Sequence, residues 1–103
     1  MMHADVLVVG TGIAGLSFAV RLAERCPEKQ IIMISKRDLL ESNTKYAQGG
    51  IAVVSNFTND SYADHVDDTL KASDYTSDPD VVDFVVREGP KRVQELMDWG
   101  AQF

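Results

Sequence analysis

The stretch VLVVGTGIAG, residues 6–15, joins a short apolar run to a turn that is rich in glycine. The apolar run, residues 6–9, is typical of a buried strand, and the glycines follow the spacing G-x-G-x-x-G. Between a strand and a helix, this spacing is typical of the turn that holds the pyrophosphate of a dinucleotide. Backbone N–H groups and the positive end of the helix dipole hold the anion, so the turn requires no lysine.

The three glycines are predicted to have different tasks. Gly10 lets the chain reverse at the end of the strand, and Gly12 leaves the backbone bare for the pyrophosphate. Gly15 lets the following helix lie close to the sheet. We therefore predict that the whole turn binds a cofactor. Its residues are Gly10, Thr11, Gly12, Ile13, Ala14 and Gly15.

A helix and a second strand follow the turn. The spacing of the apolar residues predicts a helix from Ile13 to Arg25, and residues 26–29 are predicted to end it. The apolar run over residues 30–35 then predicts a strand that is buried on both faces. This order predicts an α/β fold, a partial Rossmann-like βαβ unit with parallel strands. The helix is predicted to face the sheet with one apolar stripe, formed by Ile13, Leu16, Val20 and Ala23.

The second strand ends in Ser35 and Lys36, where many dinucleotide-binding folds carry an acidic residue for the ribose hydroxyls. One interpretation is that Lys36 contacts a phosphate, as in sites for NADP. A second is that Ser35 and backbone groups serve the ribose. A third is that Lys36 and Arg37 form only a solvated turn. The residues alone leave these three interpretations open.

A second informative stretch, SNTKYAQGG, covers residues 42–50. By turn statistics alone, its two glycines predict a hairpin turn before a short strand over residues 51–54. The wider context favours another interpretation. Together with Ser35-Lys36, residues 65–70 and residues 99–103, this stretch resembles the N-terminal flavin-binding segment of the succinate dehydrogenase and fumarate reductase flavoprotein family.

The resemblance implies FAD as the cofactor, with residues 43–50 around its isoalloxazine and pyrophosphate and Lys36 on the adenosine side. Members of the family that bind flavin covalently carry His at the position of Asn43. Because Asn cannot form that bond, the resemblance implies a non-covalent FAD. The cofactor-binding residues predicted in this part of the chain are Ser35, Lys36, Ser42, Asn43, Thr44, Lys45, Tyr46, Ala47, Gln48, Gly49 and Gly50.

The resemblance also implies an oxidoreductase that acts on a small dicarboxylate. The implied reaction is oxidation of L-aspartate to iminoaspartate, which feeds quinolinate and NAD biosynthesis, or else fumarate reduction by a soluble enzyme. The family places its catalytic arginine and histidine groups beyond Phe103, so no residue here is predicted to be catalytic. The chain alone is therefore expected to be inactive. A noncatalytic nucleotide-binding module is an alternative of a different class.

The second half of the chain is predicted to be helical, with one helix opened by Asp60 or Ser61 and another by Asp78 before Pro79. The second helix is predicted to be interrupted at Gly89-Pro90 and to stop at Gly100. Its inward residues are predicted to be Val82, Val85 and Val86, and its apolar face is predicted to continue with Val93, Leu96, Met97 and Trp99. The predicted parts are a βαβ unit over 1–35, a flavin-contacting loop with a short strand over 36–58, and a helical segment over 59–103. Two strands and a short third do not complete a domain of this class, so the rest of a longer chain is expected.

Charge, cysteine content and apolar runs exclude several kinds of ligand and several protein classes. The net charge is −6, from 16 acidic and 10 basic residues, which argues against a nucleic-acid-binding module. The acidic residues between positions 60 and 83 lack the spacing of a calcium loop, so no metal is expected. A single cysteine excludes a disulfide within the chain. No apolar run approaches the roughly 20 residues of a membrane span, and no signal peptide is visible, so a cytoplasmic location is expected.

Overall fold

The computed structural model describes residues 1–38, 41–47 and 50–103, and at Asn43 it describes the backbone alone. The chain divides into two compact units, Met1–Gln48 and Gly49–Phe103. In the described residues the first unit contains a pair of strands and two helices, and the second contains two long helices.

The first unit is built on a βαβ arrangement, as predicted. Strand β1 is Val6–Val9, helix α1 is Ile13–Arg25, and strand β2 is Ile31–Ile34. The two strands are parallel, with Val6 opposite Ile31 and Val9 opposite Ile34. Strand β2 is one residue shorter at each end than the predicted run. Parallel pairing brings the carboxyl ends of both strands to the same edge, where α1 begins.

The face of α1 that packs on the strands differs from the prediction. Ala19 is buried, and Gly15 lies against Gly10 and the Val8 side chain. Small residues at positions 15 and 19 allow α1 to approach the strands closely. Because apolar residues lie on several sides of α1, the spacing of apolar residues alone does not identify the buried face. The predicted stripe is wrong because its large members are 40–47% exposed. These are Ile13, Leu16 and Val20, and Ala23 is exposed as well.

A short helix that the sequence interpretation did not include follows in the first unit. Helix α2 is Asn43–Tyr46, a single turn whose N-cap is Ser42. The Ser42 hydroxyl accepts a hydrogen bond from the Lys45 N–H at 3.2 Å. Serine is a preferred N-cap residue, so Ser42 is the signal from which this turn could have been found.

The second unit contains helices α3, Tyr62–Ala72, and α4, Pro79–Asp98, which pack against each other. Both predicted starts are confirmed, with Ser61 as the cap of α3 and Asp78 as the cap of α4. Ser61 accepts from the Asp64 N–H at 3.0 Å. Val82 and Val86 of α4 are buried as predicted, whereas Val85 is 58% exposed and the prediction for it is wrong.

Helix α4 runs through Gly89 and Pro90, so the predicted interruption is wrong. Proline disfavours a helical conformation at the preceding residue, because its ring crowds that residue's Cβ. Gly89 has no Cβ, which removes this clash. Proline also removes the N–H that would donate to the carbonyl of Val86, so α4 lacks one backbone hydrogen bond at this turn.

The strand predicted over residues 51–54 is not formed, since this segment has no regular secondary structure. Val54 is nevertheless 1% exposed. Val53 approaches α4 closely: a Cβ added to Gly89 would lie 3.2 Å from Val53 Cγ2. Val53 and Val54 therefore pack within this unit without pairing in a sheet, whereas Ile51 and Ala52 are exposed.

Candidate functional site

The turn between β1 and α1 begins at Gly10, whose φ of +107° lies in the region that favours glycine. The Gly10 N–H donates to the carbonyl oxygen of Ile34 at 2.8 Å. This hydrogen bond ties the turn to the end of β2. The turn therefore lies at the carboxyl edge of both strands, which is where open α/β sheets bind their ligands.

Gly15 shows the close packing that the motif predicts. A Cβ added at Gly15 would lie 2.2 Å from the carbonyl oxygen of Gly10 and 3.4 Å from Val8 Cγ1. No side chain fits at the first distance without movement of the backbone. The glycine at this position thus allows α1 to start directly against the turn and the strand.

The N-terminus of α1 carries donors and no opposing negative charge. Gly12 is the N-cap, makes no side-chain capping bond, and the first turn contains no acidic residue. The N–H groups of Ala14 and Gly15 have no partner within the helix, because the first N–H groups of any α-helix precede its hydrogen-bond ladder. The aligned peptide dipoles add a partial positive charge here. The arrangement is suited to an anion.

Thr44 of α2 lies at this same helix terminus. Its Oγ1 accepts a hydrogen bond from the Ile13 N–H at 3.1 Å. A Cβ added at Gly12 would lie 3.6 Å from the same oxygen. The structure thus brings together two predicted parts of the site, the glycine turn and the segment that begins at Ser42.

Other predicted residues of the first unit take part in local contacts. The Ser35 hydroxyl donates to the carbonyl oxygen of Arg37, and Lys36 is exposed. The Lys45 ammonium lies 5.4 Å from the centroid of the Tyr46 ring.

A contact that the sequence interpretation missed joins Tyr46 to Glu41. The Tyr46 hydroxyl donates to Glu41 Oε1 at 2.5 Å, and this hydrogen bond raises the pKa of Tyr46 above its ordinary value. The spacing of five residues carries no helical signal from which the pair could have been predicted. Gly50 is exposed and belongs to the second unit. Gln48, Gly49 and the side chain of Asn43 lie outside the described residues.

The sequence matches the FAD binding domain family over residues 5–103. The chain belongs to this FAD-binding family. The match extends from the residue before β1 to the last residue of the chain, and so includes the turn, α2 and both long helices. FAD is therefore the cofactor of this domain.

Curated relatives are flavoenzymes of the same kind as the family match indicates. An L-aspartate oxidase from Yersinia pestis is 46% identical over 100 residues, which are 97% of this chain and 18% of that protein. The fumarate reductase flavoprotein subunit of Proteus vulgaris is 39% identical over 98 residues, covering 95% of this chain and 16% of the relative. An L-aspartate oxidase of Oryza sativa described as chloroplastic is 40% identical over 101 residues, which are 98% of this chain and 15% of that protein. The chain thus spans less than a fifth of the length of these relatives.

A solved structure confirms the fold. The structure is a mutant form of the E. coli quinol fumarate reductase FrdA, with a TM-score of 0.84 and 37% sequence identity. The match covers 96% of this chain and 17% of that one. The short parallel strand pair and the helices are therefore a part of a larger FAD-binding α/β fold, as predicted.

The geometry around α1 fits FAD. The pyrophosphate of FAD is a dianion, and the α1 terminus offers N–H donors, a partial positive charge and a first turn without carboxylates. Within the described residues, no group of three or more His, Cys, Asp and Glu side chains is arranged to hold a metal ion. Among the same residues, no helix is both long and apolar enough to span a membrane.

Proposed function

We propose that this chain is part of the FAD-binding domain of a flavoprotein that oxidises L-aspartate to iminoaspartate. Its product would feed quinolinate and NAD biosynthesis, in the cytoplasm. Support comes from the L-aspartate oxidases among the relatives, which include bacterial proteins from Yersinia pestis, Ralstonia nicotianae and Clostridium perfringens. The family itself supports a flavoprotein oxidoreductase, and the choice of substrate is our proposal.

The structural observation that supports the FAD-binding part of this proposal is the contact of Thr44 with the N-terminus of α1, whose first turn holds no acidic residue. Two stretches distant in the sequence, each predicted to hold the cofactor, contact one another there. We propose that the N–H groups of Ala14 and Gly15 hold the pyrophosphate, while the segment of residues 42–47 lies along the flavin. The chemistry that FAD contributes when bound is to accept a hydride from the substrate. The residues of this chain bind and orient the cofactor, and none is assigned a catalytic role.

A second candidate function is fumarate reduction with a non-covalent FAD. It is favoured by the Proteus vulgaris relative and by the similarity to E. coli quinol fumarate reductase. Asn43 bears on both candidates equally, because an asparagine amide is not a nucleophile that could attach the flavin covalently. A dissociable FAD is therefore part of either proposal.

The test uses the full-length gene product that contains this chain, purified with its flavin. L-Aspartate is added without oxygen, and the visible absorption band of the flavin is followed. Bleaching by L-aspartate, with D-aspartate as the matched control, supports the first candidate. Failure of L-aspartate to bleach the flavin, together with rapid reoxidation of chemically reduced flavin by fumarate, would support the second. A purified protein that holds no flavin and binds none on addition would contradict both.

A further inference from the structure

Helix α4 carries large apolar side chains on more than one side. Val82 and Val86 are buried in the second unit, whereas Val81, Phe84 and Val85 of the same helix are 57–65% exposed. At about 3.6 residues per turn, these positions cover roughly 200° of the helix circumference, which is wider than the stripe of a helix that packs on one side only. The helix therefore has a second apolar side, which the described residues leave exposed.

Val81 and Val85 line a groove of about 650 Å³ within the second unit, which we call the α4 groove. Helix α3 contributes His65 and Thr69 to the lining of this groove, and Ile51 contributes a further apolar side chain. The rest of the lining comes mainly from apolar residues of α4. Soluble proteins rarely leave an apolar concavity of this size open to water unless it receives another group. The α4 groove therefore has the character of an interaction surface.

The charged groups of the α4 groove are acidic on balance. Asp78 and Arg92 both line it. The Arg92 guanidinium donates to Glu88 at 2.6 Å and to Glu95 at 2.9 Å, so two carboxylates accompany one guanidinium. The second unit as a whole, residues 49–103, carries 11 acidic and 4 basic side chains. A segment that is complementary to this surface would carry lysine or arginine beside its apolar face.

The longer protein to which this chain belongs contains the material to cover the α4 groove. More than four-fifths of the length of the Yersinia pestis relative and of the E. coli structure lies outside the part that this chain matches. A segment of the same polypeptide is kept near the groove by the chain itself, which raises its effective concentration there. A second copy of the groove is a poorer occupant, because a two-fold symmetric contact would bring two acidic surfaces together.

We propose that the α4 groove is the docking surface for a segment of the same polypeptide outside residues 1–103. This segment has an apolar face, which covers Val81 and Val85, and it has basic residues beside that face, which lie near Asp78 and the Arg92 cluster. The docked segment gives α4 its second packed side. The inference goes beyond the proposed reaction and does not depend on which substrate the enzyme oxidises.

The first measurement is thiol labelling of the full-length gene product. Val85→Cys and, separately, Val81→Cys place a small thiol in the α4 groove. Lys91→Cys is the matched control, because Lys91 is exposed on the same helix and does not line the groove. A maleimide is added to the native and the urea-unfolded protein, and mass spectrometry of the modified peptide distinguishes the new thiol from others such as Cys26.

The expected labelling rates differ between groove and control. At positions 81 and 85 we expect native protein to react about 100-fold more slowly than unfolded protein, because a covered thiol reacts only during local opening. Lys91→Cys should differ between the two states by less than about threefold, since no opening is required there. Two groove positions are measured so that the result does not depend on the folding of one variant.

The second measurement identifies what covers the groove. Photo-leucine, a diazirine analogue close to leucine in size, replaces leucine during expression of the full-length protein, and Leu96 lines the groove. Irradiation followed by mass spectrometry identifies the peptides that become linked to Leu96. We expect a link to a segment outside residues 1–103, with a lysine or arginine within about one helical turn of the linked residue. A mixture of ¹⁵N-labelled and unlabelled protein shows whether a link joins two copies.

Each alternative has its own result. Native labelling at positions 81 and 85 as fast as at position 91 would overturn the inference, because the groove would then be open to water. Slow labelling with links only between copies would overturn it in favour of a dimer. Slow labelling with no link outside residues 1–103 would overturn it in favour of a bound small molecule or closure within this chain. A linked segment without nearby basic residues would overturn the charge complementarity.

Discussion

The carbonyl oxygen of Gly10 occupies the space in which a side chain on Gly15 would have to begin. The distance from a Cβ built at Gly15 to this oxygen is 2.2 Å, well inside van der Waals contact. The start of α1, the turn and the end of β1 therefore form one closely packed corner. Its geometry depends on the absence of a single methyl group.

Gly15→Ala should destabilise the protein by about 3 kcal/mol, the upper part of the range for overpacking, because backbone atoms rather than a flexible side chain must move. The measurement is the free energy of unfolding in urea. Gly50→Ala is the matched control for stability, since an added Cβ there would meet nothing within 4 Å. Wild-type stability in Gly15→Ala would contradict the packing described here.

Gly12→Ala should behave in the opposite way, with folding retained and cofactor binding weakened. Its φ of −73° is ordinary for alanine, and the added Cβ would make only a normal contact of 3.6 Å with Thr44 Oγ1. The methyl group would, however, stand where we propose that the pyrophosphate approaches the backbone. We expect FAD affinity to fall about tenfold, or about 1.4 kcal/mol, at nearly unchanged melting temperature of the flavin-free protein. Undiminished affinity would remove Gly12 from the site.

The local elements of this fold follow from short-range signals in the sequence. Strand β1 and helix α1 have the predicted bounds, because an apolar run, a glycine turn and an amphipathic period all agree there. The caps of α3 and α4 follow from a similar signal, since a side-chain oxygen before an apolar helix satisfies its first N–H groups. The sequence predicts Asp60 or Ser61 for α3, where Ser61 is the cap observed, and Asp78 for α4.

Features that depend on tertiary packing were not predictable in this way. The buried face of α1 is set by Gly15 and Ala19, whose small size matters only once the strands are in place. Residues 51–54 have the composition of a strand but lack a pairing partner in the structure described. The contact between Thr44 and Ile13 has no local signal, and only the resemblance to a flavoprotein family placed both residues in one site.

The flavin should leave the protein completely when the protein is unfolded. The family resemblance implies that Asn43 stands where members with covalently bound flavin carry histidine, and an amide cannot form that bond. Acid precipitation of the flavin-loaded, full-length gene product should therefore transfer all flavin to the supernatant, where absorption spectroscopy quantifies it. Flavin that stays in a washed, denatured pellet would contradict a dissociable cofactor.

The ion pair of Asp83 and Arg87 on α4 should produce a small dependence of stability on pH. Arg87 Nε donates to Asp83 Oδ2 at 2.7 Å, and this hydrogen bond lowers the pKa of Asp83 below its ordinary value. A lowered pKa in the folded state contributes stability above the unfolded pKa of about 3.9, and this contribution is lost as the pH falls through the folded value.

Asp83→Asn should therefore lower the melting temperature slightly at about pH 7, and the difference from the wild type should vanish as the pH falls below the lowered pKa of Asp83. Added salt should reduce the difference at neutral pH, because both side chains are about half exposed. Thermal denaturation at several pH values and salt concentrations measures the effect. A difference that is independent of pH would show that the ion pair is not its cause.

The bond between Ile13 and Thr44 also determines when the cofactor site can form during folding. It closes a loop of 31 positions, whereas the hydrogen bonds of α1 join residues four apart. Closing long loops costs more chain entropy, so distant contacts form after local ones. During synthesis, all residues from β1 to α2 must emerge from the ribosome before Thr44 can contact Ile13. In a nascent chain, the proposed pyrophosphate site would thus form late in the folding of this unit.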